Sequence, residues 1–161
     1  MKTVHLLLGN SDRRINTIIE VAVRDVCFNH AVVECSRTSR VDELLRLGRS
    51  DMFDLMVVAP GNLVPEPSRR NSSVSLAEAL RVIQSVRTRR STHILAVAVA
   101  EEDRLAVLEA GAENAFGVFF DTEAFKAEIR RVLRIPEPVE ESEPVRTSLM
   151  GALLRGPSLK G

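Results

Sequence analysis

Few side chains in this chain are placed to act together as chemistry. Asp12, Glu101 and Asp103 are carboxylates beside the ends of apolar runs; brought together, they would offer oxygen ligands to a hard divalent cation. A simpler use is preferred, with Asp12 capping a helix and the other two complementing the positive end of a second one. Gly9-Asn10-Ser11-Asp12 joins an apolar run to a helical pattern, where outward-pointing backbone N–H groups can cradle a phosphate, yet it lacks the glycine spacing of a dinucleotide fingerprint. His5, His30 and His93 are dispersed, and none sits beside a serine or cysteine in a nucleophilic pattern. Cys27 and Cys35 are too few for a disulfide framework or a zinc site, so buried free thiols are expected. Arg13 and Arg14, then Arg87, Arg89 and Arg90, are read as solvated helix surface ahead of contact patches.

The elements that must position these residues follow from totals and periodicity. At 161 residues, with 45% apolar and 27% charged side chains, the chain suits one soluble domain with a two-sided core. Its 22 basic and 22 acidic groups cancel, which argues against a nucleic-acid surface. The N-terminal apolar run is too short for a signal peptide, and no stretch approaches the roughly 20 residues of a membrane span, so a cytoplasmic location is expected.

Strand-like runs at residues 4–8, 31–35, 55–59, 94–99 and 116–120 alternate with helical patterns, as in a parallel sheet covered on both faces. The first helix is expected to bury Ile15, Ile18, Ile19, Ala22 and Val26. Ser39 with Asp42, and Ser75 with Glu78, read as capping boxes; Asp121 or Thr122 caps the last helix, and Gly48 and Gly111 act as stops. The third helix should bury Leu76, Ala79, Leu80, Ile83 and Val86, and the fourth Leu105, Leu108 and Val107. Residues 61–74 are polar and proline-bearing, and read as an exposed loop. Residues 1–135 make the domain; residues 136–161 are a proline- and glutamate-rich linker with a short apolar tail.

Asp54-Leu55-Met56-Val57-Val58-Ala59-Pro60 and the Gly111-Ala112 turn before the last strand resemble two segments of the response-regulator receiver family. The resemblance covers residues 1–135 and implies a three-layer α/β/α fold with a five-stranded parallel sheet in order 2-1-3-4-5, its pocket at the strand C-terminal ends. It also implies an acidic pair that holds Mg²⁺, an aspartate that accepts phosphate, a lysine that neutralises it, and a hydroxyl that reports it. Here the acidic pair falls on Gly9 and Asn10, the acceptor on Ala59, the hydroxyl on Ala98 or Val99, and the lysine on Val118 or Phe119. The nearest lysine, Lys126, lies inside the next helix. No metal, cofactor or enzymatic activity is therefore expected.

The function expected is a phosphorylation-independent protein-interaction module in bacterial two-component-type signalling. Its partner would be a kinase, another regulator or a second copy, with a homodimer among the options; neither nucleic acid nor membrane is expected. The contact face is assigned to Phe116, Phe119 and Phe125, together with Leu149 and Leu153 of the tail. Two alternatives stand. One is a small doubly wound nucleotide- or flavin-binding protein using the Gly9-to-Asp12 loop, with residues 61–74 as a lid. The other is a scaffold that presents the tail to a partner.

Overall fold

The apolar runs become strands because both faces of a central parallel sheet need apolar cover. A computed structural model describes residues 1–69, 71–89 and 91–138. Its elements are β1 (Lys2–Gly9), α1 (Arg13–Cys27), β2 (Ala31–Thr38), α2 (Val41–Gly48), β3 (Leu55–Val58), α3 (Leu76–Arg87), β4 (His93–Ala96), α4 (Arg104–Ala110), β5 (Asn114–Ala115) and α5 (Thr122–Leu133). The tail residues Leu149 and Leu153, like Arg90, lie outside the described residues.

All strand pairs are parallel, in the order β2-β1-β3-β4-β5. Alternation along each strand divides the core in two. Leu6, Leu8, Leu55 and Val57 face α1 and α5, whereas Leu7, Met56, Val58 and Ala96 face α2, α3 and α4. Asp54 fastens the lower end of the sheet: its carboxylate accepts the His5 amide at 2.8 Å, and its carbonyl accepts the His93 amide at 3.0 Å.

Capping follows the sequence in three helices. Asp12 caps α1, Asp121 caps α5, and Ser75 with Glu78 forms a reciprocal capping box at α3. The box expected at Ser39 does not form. Arg40 occupies the cap position of α2 without a side-chain bond, because Thr38 Oγ1 accepts the Arg40 amide and donates to Glu43 instead.

The remaining differences have local causes. In α1 the buried apolar side chains are Ile19, Ala22, Val23, Val26 and Cys27; Ile15 is half-buried, and Ile18, about 100° around the helix from Ile19, is exposed. Before α4, the tighter turn Glu101–Asp103 shifts the helical phase, leaving Leu105 exposed and Val107 fully buried. Leu76 is likewise exposed at the start of α3, and Val82 is buried in its stead. The loop at 61–74 is partly packed: Leu63 is buried, and Val64 bridges to Arg40.

The last strand is shorter and earlier than expected. Phe116 still donates its amide to Ala96 O, and its carbonyl still accepts the Val99 amide, each at 2.9 Å, but the chain then leaves the sheet. Its departure folds three rings together: Phe125 lies 5.2 Å from Phe116 and 5.1 Å from Phe120, centroid to centroid. Ring packing thus outcompetes strand extension. Of the three phenylalanines expected at the contact face, Phe125 is fully buried, Phe116 is half-buried and Phe119 is 99% exposed.

Replacing Phe125 with alanine is expected to cost about 3–5 kcal/mol through loss of buried area and the cavity left behind. The same change at Phe119 should stay within about 0.5 kcal/mol. Urea denaturation of the two variants measures the contrast.

Candidate functional site

The pocket to be tested lies where β1, β3 and β4 end. Ala59 donates its amide to Gly9 O at 2.9 Å, and Val97 donates to Val58 O at 2.9 Å, so the three strand ends are held side by side. A short turn, Pro60–Asn62, brings Asn62 back over the end of β1, where the Ser11 amide donates to Asn62 O at 3.1 Å.

Asn10 sits at the centre of this arrangement and is only 3% exposed. Its Nδ2 donates to Asp12 O and to Asn16 Oδ1, both at 3.2 Å. Its Oδ1 accepts from the Asp12 amide at 3.2 Å and from Asn62 Nδ2 at 3.0 Å. Asn16, also buried, returns Nδ2 to Asn10 O at 3.1 Å. An asparagine side chain has two N–H donors and two acceptor lone pairs, and here all four are engaged. A cation approaching the Asn10 side chain would find no free lone pair.

Gly9 carries no side chain, and the space for one is taken. A Cβ at this position would lie 2.5 Å from Leu44 Cδ2, and Leu44 is fully buried in the α2–α3 side of the core. The side-chain space at the end of β1 therefore belongs to α2, and any larger residue must displace it. Asp12 is engaged as the cap of α1, its Oδ1 accepting from the amides of Arg14 at 2.9 Å and Ile15 at 3.3 Å. Glu101 and Asp103 do not join Asp12: no group of three or more His, Cys, Asp or Glu side chains close enough to hold a metal occurs among the described residues.

The other pocket positions are apolar. Ala59 is fully buried and Val99 nearly so, while Ala98 takes a left-handed φ of 54° as the chain turns out of β4. Val118 is 58% exposed and directs no charge anywhere. Lys126 is committed elsewhere, its Nζ lying 2.7 Å from Asp25 Oδ2 and tying α5 to α1. That hydrogen bond, together with the attraction of each charge for the other, holds the Asp25 carboxyl below the usual range and raises the Lys126 ammonium above its own.

The dispersed candidates stay dispersed. His5 pairs with Glu34 and His93 with Glu113, and His30 lines a cavity at the start of β1 and β2. Burial pushes both cysteine thiols up, which keeps them protonated and weakly nucleophilic. One feature escaped the sequence reading: a polar cleft of about 580 Å³ lined by Asn10, Ser11, Arg13, Asn16, Arg37 and Thr38. Arginine at 37, two residues past the expected end of the second strand, was the available signal.

No family model matches the chain, and no curated protein is similar to it in sequence. Solved structures are similar in fold. The receiver domain of the sensor histidine kinase PA1611 from Pseudomonas aeruginosa PAO1, with a magnesium ion in its active-site cleft, is 18% identical over 80% of this chain and 96% of its own, with a TM-score of 0.57. A protein described as a response regulator, from Chloroflexus aurantiacus, is 16% identical over 83% of this chain and 99% of its own, with a TM-score of 0.62. A protein described as the pilus-assembly protein CpaE, from Burkholderia thailandensis, is 14% identical over 81% and 98%, with a TM-score of 0.57. The chain thus has the fold of response-regulator receiver domains.

Changing Asn10 to aspartate should destabilise the protein by about 2–4 kcal/mol at neutral pH, because a buried carboxylate would face Asn16 Oδ1 and Asp12 O without a donor to either. The folded-state pKa of the new group would rise above its unfolded value of about 3.9, so the native state binds the extra proton and stability falls as pH rises from about 4. Urea midpoints of the variant and parent across this range test the sign; a variant that instead gains stability with pH contradicts the network.

Proposed function

We propose that this protein is a phosphorylation-independent binding module with a receiver fold, acting by protein contact in two-component-type signalling and having no enzymatic activity of its own. The observation that carries the reading is the saturated amide cluster of Asn10, Asn16 and Asn62, which fills the place where a receiver needs carboxylates around Mg²⁺. Phosphoryl transfer to an aspartate needs a nucleophile, a countercharge and a metal that neutralises the phosphoryl oxygens. Ala59, Val118 and Asn10 offer none of these.

The reading also fits the energetics of such a pocket. A group of facing carboxylates destabilises a domain unless a cation sits among them. Amides and methyl groups remove that repulsion, so one arrangement of the strand ends is favoured without a ligand. A partner would then recognise a fixed surface and not a phosphorylation-dependent one.

A second reading rests on the polar cleft. Its volume of about 580 Å³ suits a small anionic ligand such as a nucleotide, and Arg13 and Arg37 supply positive charge. Two features weigh against it: Asp12 already occupies the first amides of α1, and Arg37 is paired with Glu20. Thermal denaturation with a panel of nucleotides and flavins is expected to show no stabilisation; a saturable rise in Tm with any of them favours the second reading.

Titration with Mg²⁺ and beryllofluoride, followed by amide NMR, tests the main reading. The amides of Gly9, Ala59 and Val99 should not shift. Saturable shifts at those three positions would show a working phosphoryl pocket and overturn the proposal.

A further inference from the structure

A second cavity, on the other side of the vacated pocket, has the chemistry of an anchor site. It measures about 160 Å³ and is lined by Pro60, Val74, Leu76, Ala98, Val99 and Val107, between the start of α3 and the turn that leads into α4. An apolar cavity of roughly 150 Å³ accepts a guest the size of benzene, so this one accommodates a single leucine or methionine side chain. Leu76 is partly exposed at its edge.

The rim is acidic. Asp103 lines the cavity and Glu101 and Glu102 precede it on the same turn; among the described residues, none of the three has an ion-pair partner. Arg104 does not neutralise them, since its guanidinium donates to Ala115 O. An occupant should therefore present an aliphatic anchor flanked by basic side chains.

This chain carries such a segment. Between Arg146 and Arg155 stand Leu149, Met150, Leu153 and Leu154, and no acidic residue follows Glu143. Reach decides whether it can serve its own molecule. The chain leaves α5 beside Lys2, Val4 and His30, at the beginning of the strands on the α1–α5 face. The anchor cavity lies past the ends of β3 and β4, and its Val74, Val99 and Val107 belong to the opposite face. A domain of this size has a radius of about 18 Å, so the surface path between opposite poles is about 55 Å. The ten residues 139–148 span at most about 35 Å, which keeps Leu149 from the cavity of its own molecule, and Leu153 and Leu154 would reach it only with the whole linker fully extended at about 50–55 Å, so a second copy is the less strained host.

We propose that residues 146–155 dock into the anchor cavity of a second copy, with one leucine filling it, the others packing at its mouth, and Arg146 and Arg155 facing Glu101, Glu102 and Asp103. This contact rests on the reading of the protein as a phosphorylation-independent binding module and names its partner as self.

Sedimentation velocity of the full chain over a dilution series tests the contact. Self-association is expected, and it should weaken with added salt. A rim variant (Glu101→Lys, Glu102→Lys, Asp103→Asn) and a tail variant (Leu149→Ser, Leu153→Ser) should each associate at least about tenfold more weakly. Mixing the two should restore pairing, because one supplies an intact tail and the other an intact cavity. A full chain that stays monomeric, association undiminished in either variant, or no recovery on mixing overturns the contact. A monomer in which the tail variant alters amide exchange at Val74 and Val99 would be docking within one molecule, which also overturns it. The binding-module reading survives those results, having its own beryllofluoride test; association that appears only with beryllofluoride overturns both.

Discussion

The end of β1 depends on one interaction: a buried asparagine whose four hydrogen-bonding positions are all taken by protein. Asn10 joins the cap of α1 through Asp12, the body of α1 through Asn16, and the turn after β3 through Asn62. A buried polar group is costly when unpaired and neutral to favourable when fully paired, so the cluster fixes where β1 stops and how α1 begins. It also leaves no lone pair for a cation. In the similar receiver domain of PA1611, the active-site cleft holds a magnesium ion.

Steric packing reinforces what hydrogen bonding begins. Leu44 occupies the volume a side chain at Gly9 would need, and Ala59 is sealed below the turn that carries Asn62. Electrostatics elsewhere is local: Lys126 binds Asp25 across α1 and α5, and Glu20, which burial alone would push up, is held below the usual range by Arg37 and Arg24. Each of these ion pairs keeps one partner about half exposed to solvent, which screens it and limits what it adds to stability. The domain is organised by its two apolar layers and by the amide cluster, with charges arranged around them.

Much of this was legible in the sequence, because strands buried on both faces read as apolar runs and the runs fall at regular intervals. The sheet order followed from the resemblance to receivers, and the observed order β2-β1-β3-β4-β5 agrees with it. The apolar identity of Ala59 and Val99 could also be read directly. The amide cluster could not: Asn10 and Asn62 are 52 residues apart, and an asparagine beside a turn proline reads only as turn chemistry. Phase errors had a similar origin. Leu105 was assigned to the core because its helix was extrapolated from Glu101, whereas a tighter turn there rotates the following residues. Phe116 and Phe120 read as strand because aromatic runs favour strands, but a long-range ring contact with Phe125 decided their course.

With its side-chain lone pairs taken, Asn10 closes the end of β1 to cations. Anomalous diffraction from crystals grown with manganese measures this directly, since Mn²⁺ occupies magnesium sites and scatters strongly. No peak is expected within coordination distance of Asn10 or Asp12. A peak bonded to Asn10 Oδ1, with Asn62 displaced, would contradict the account.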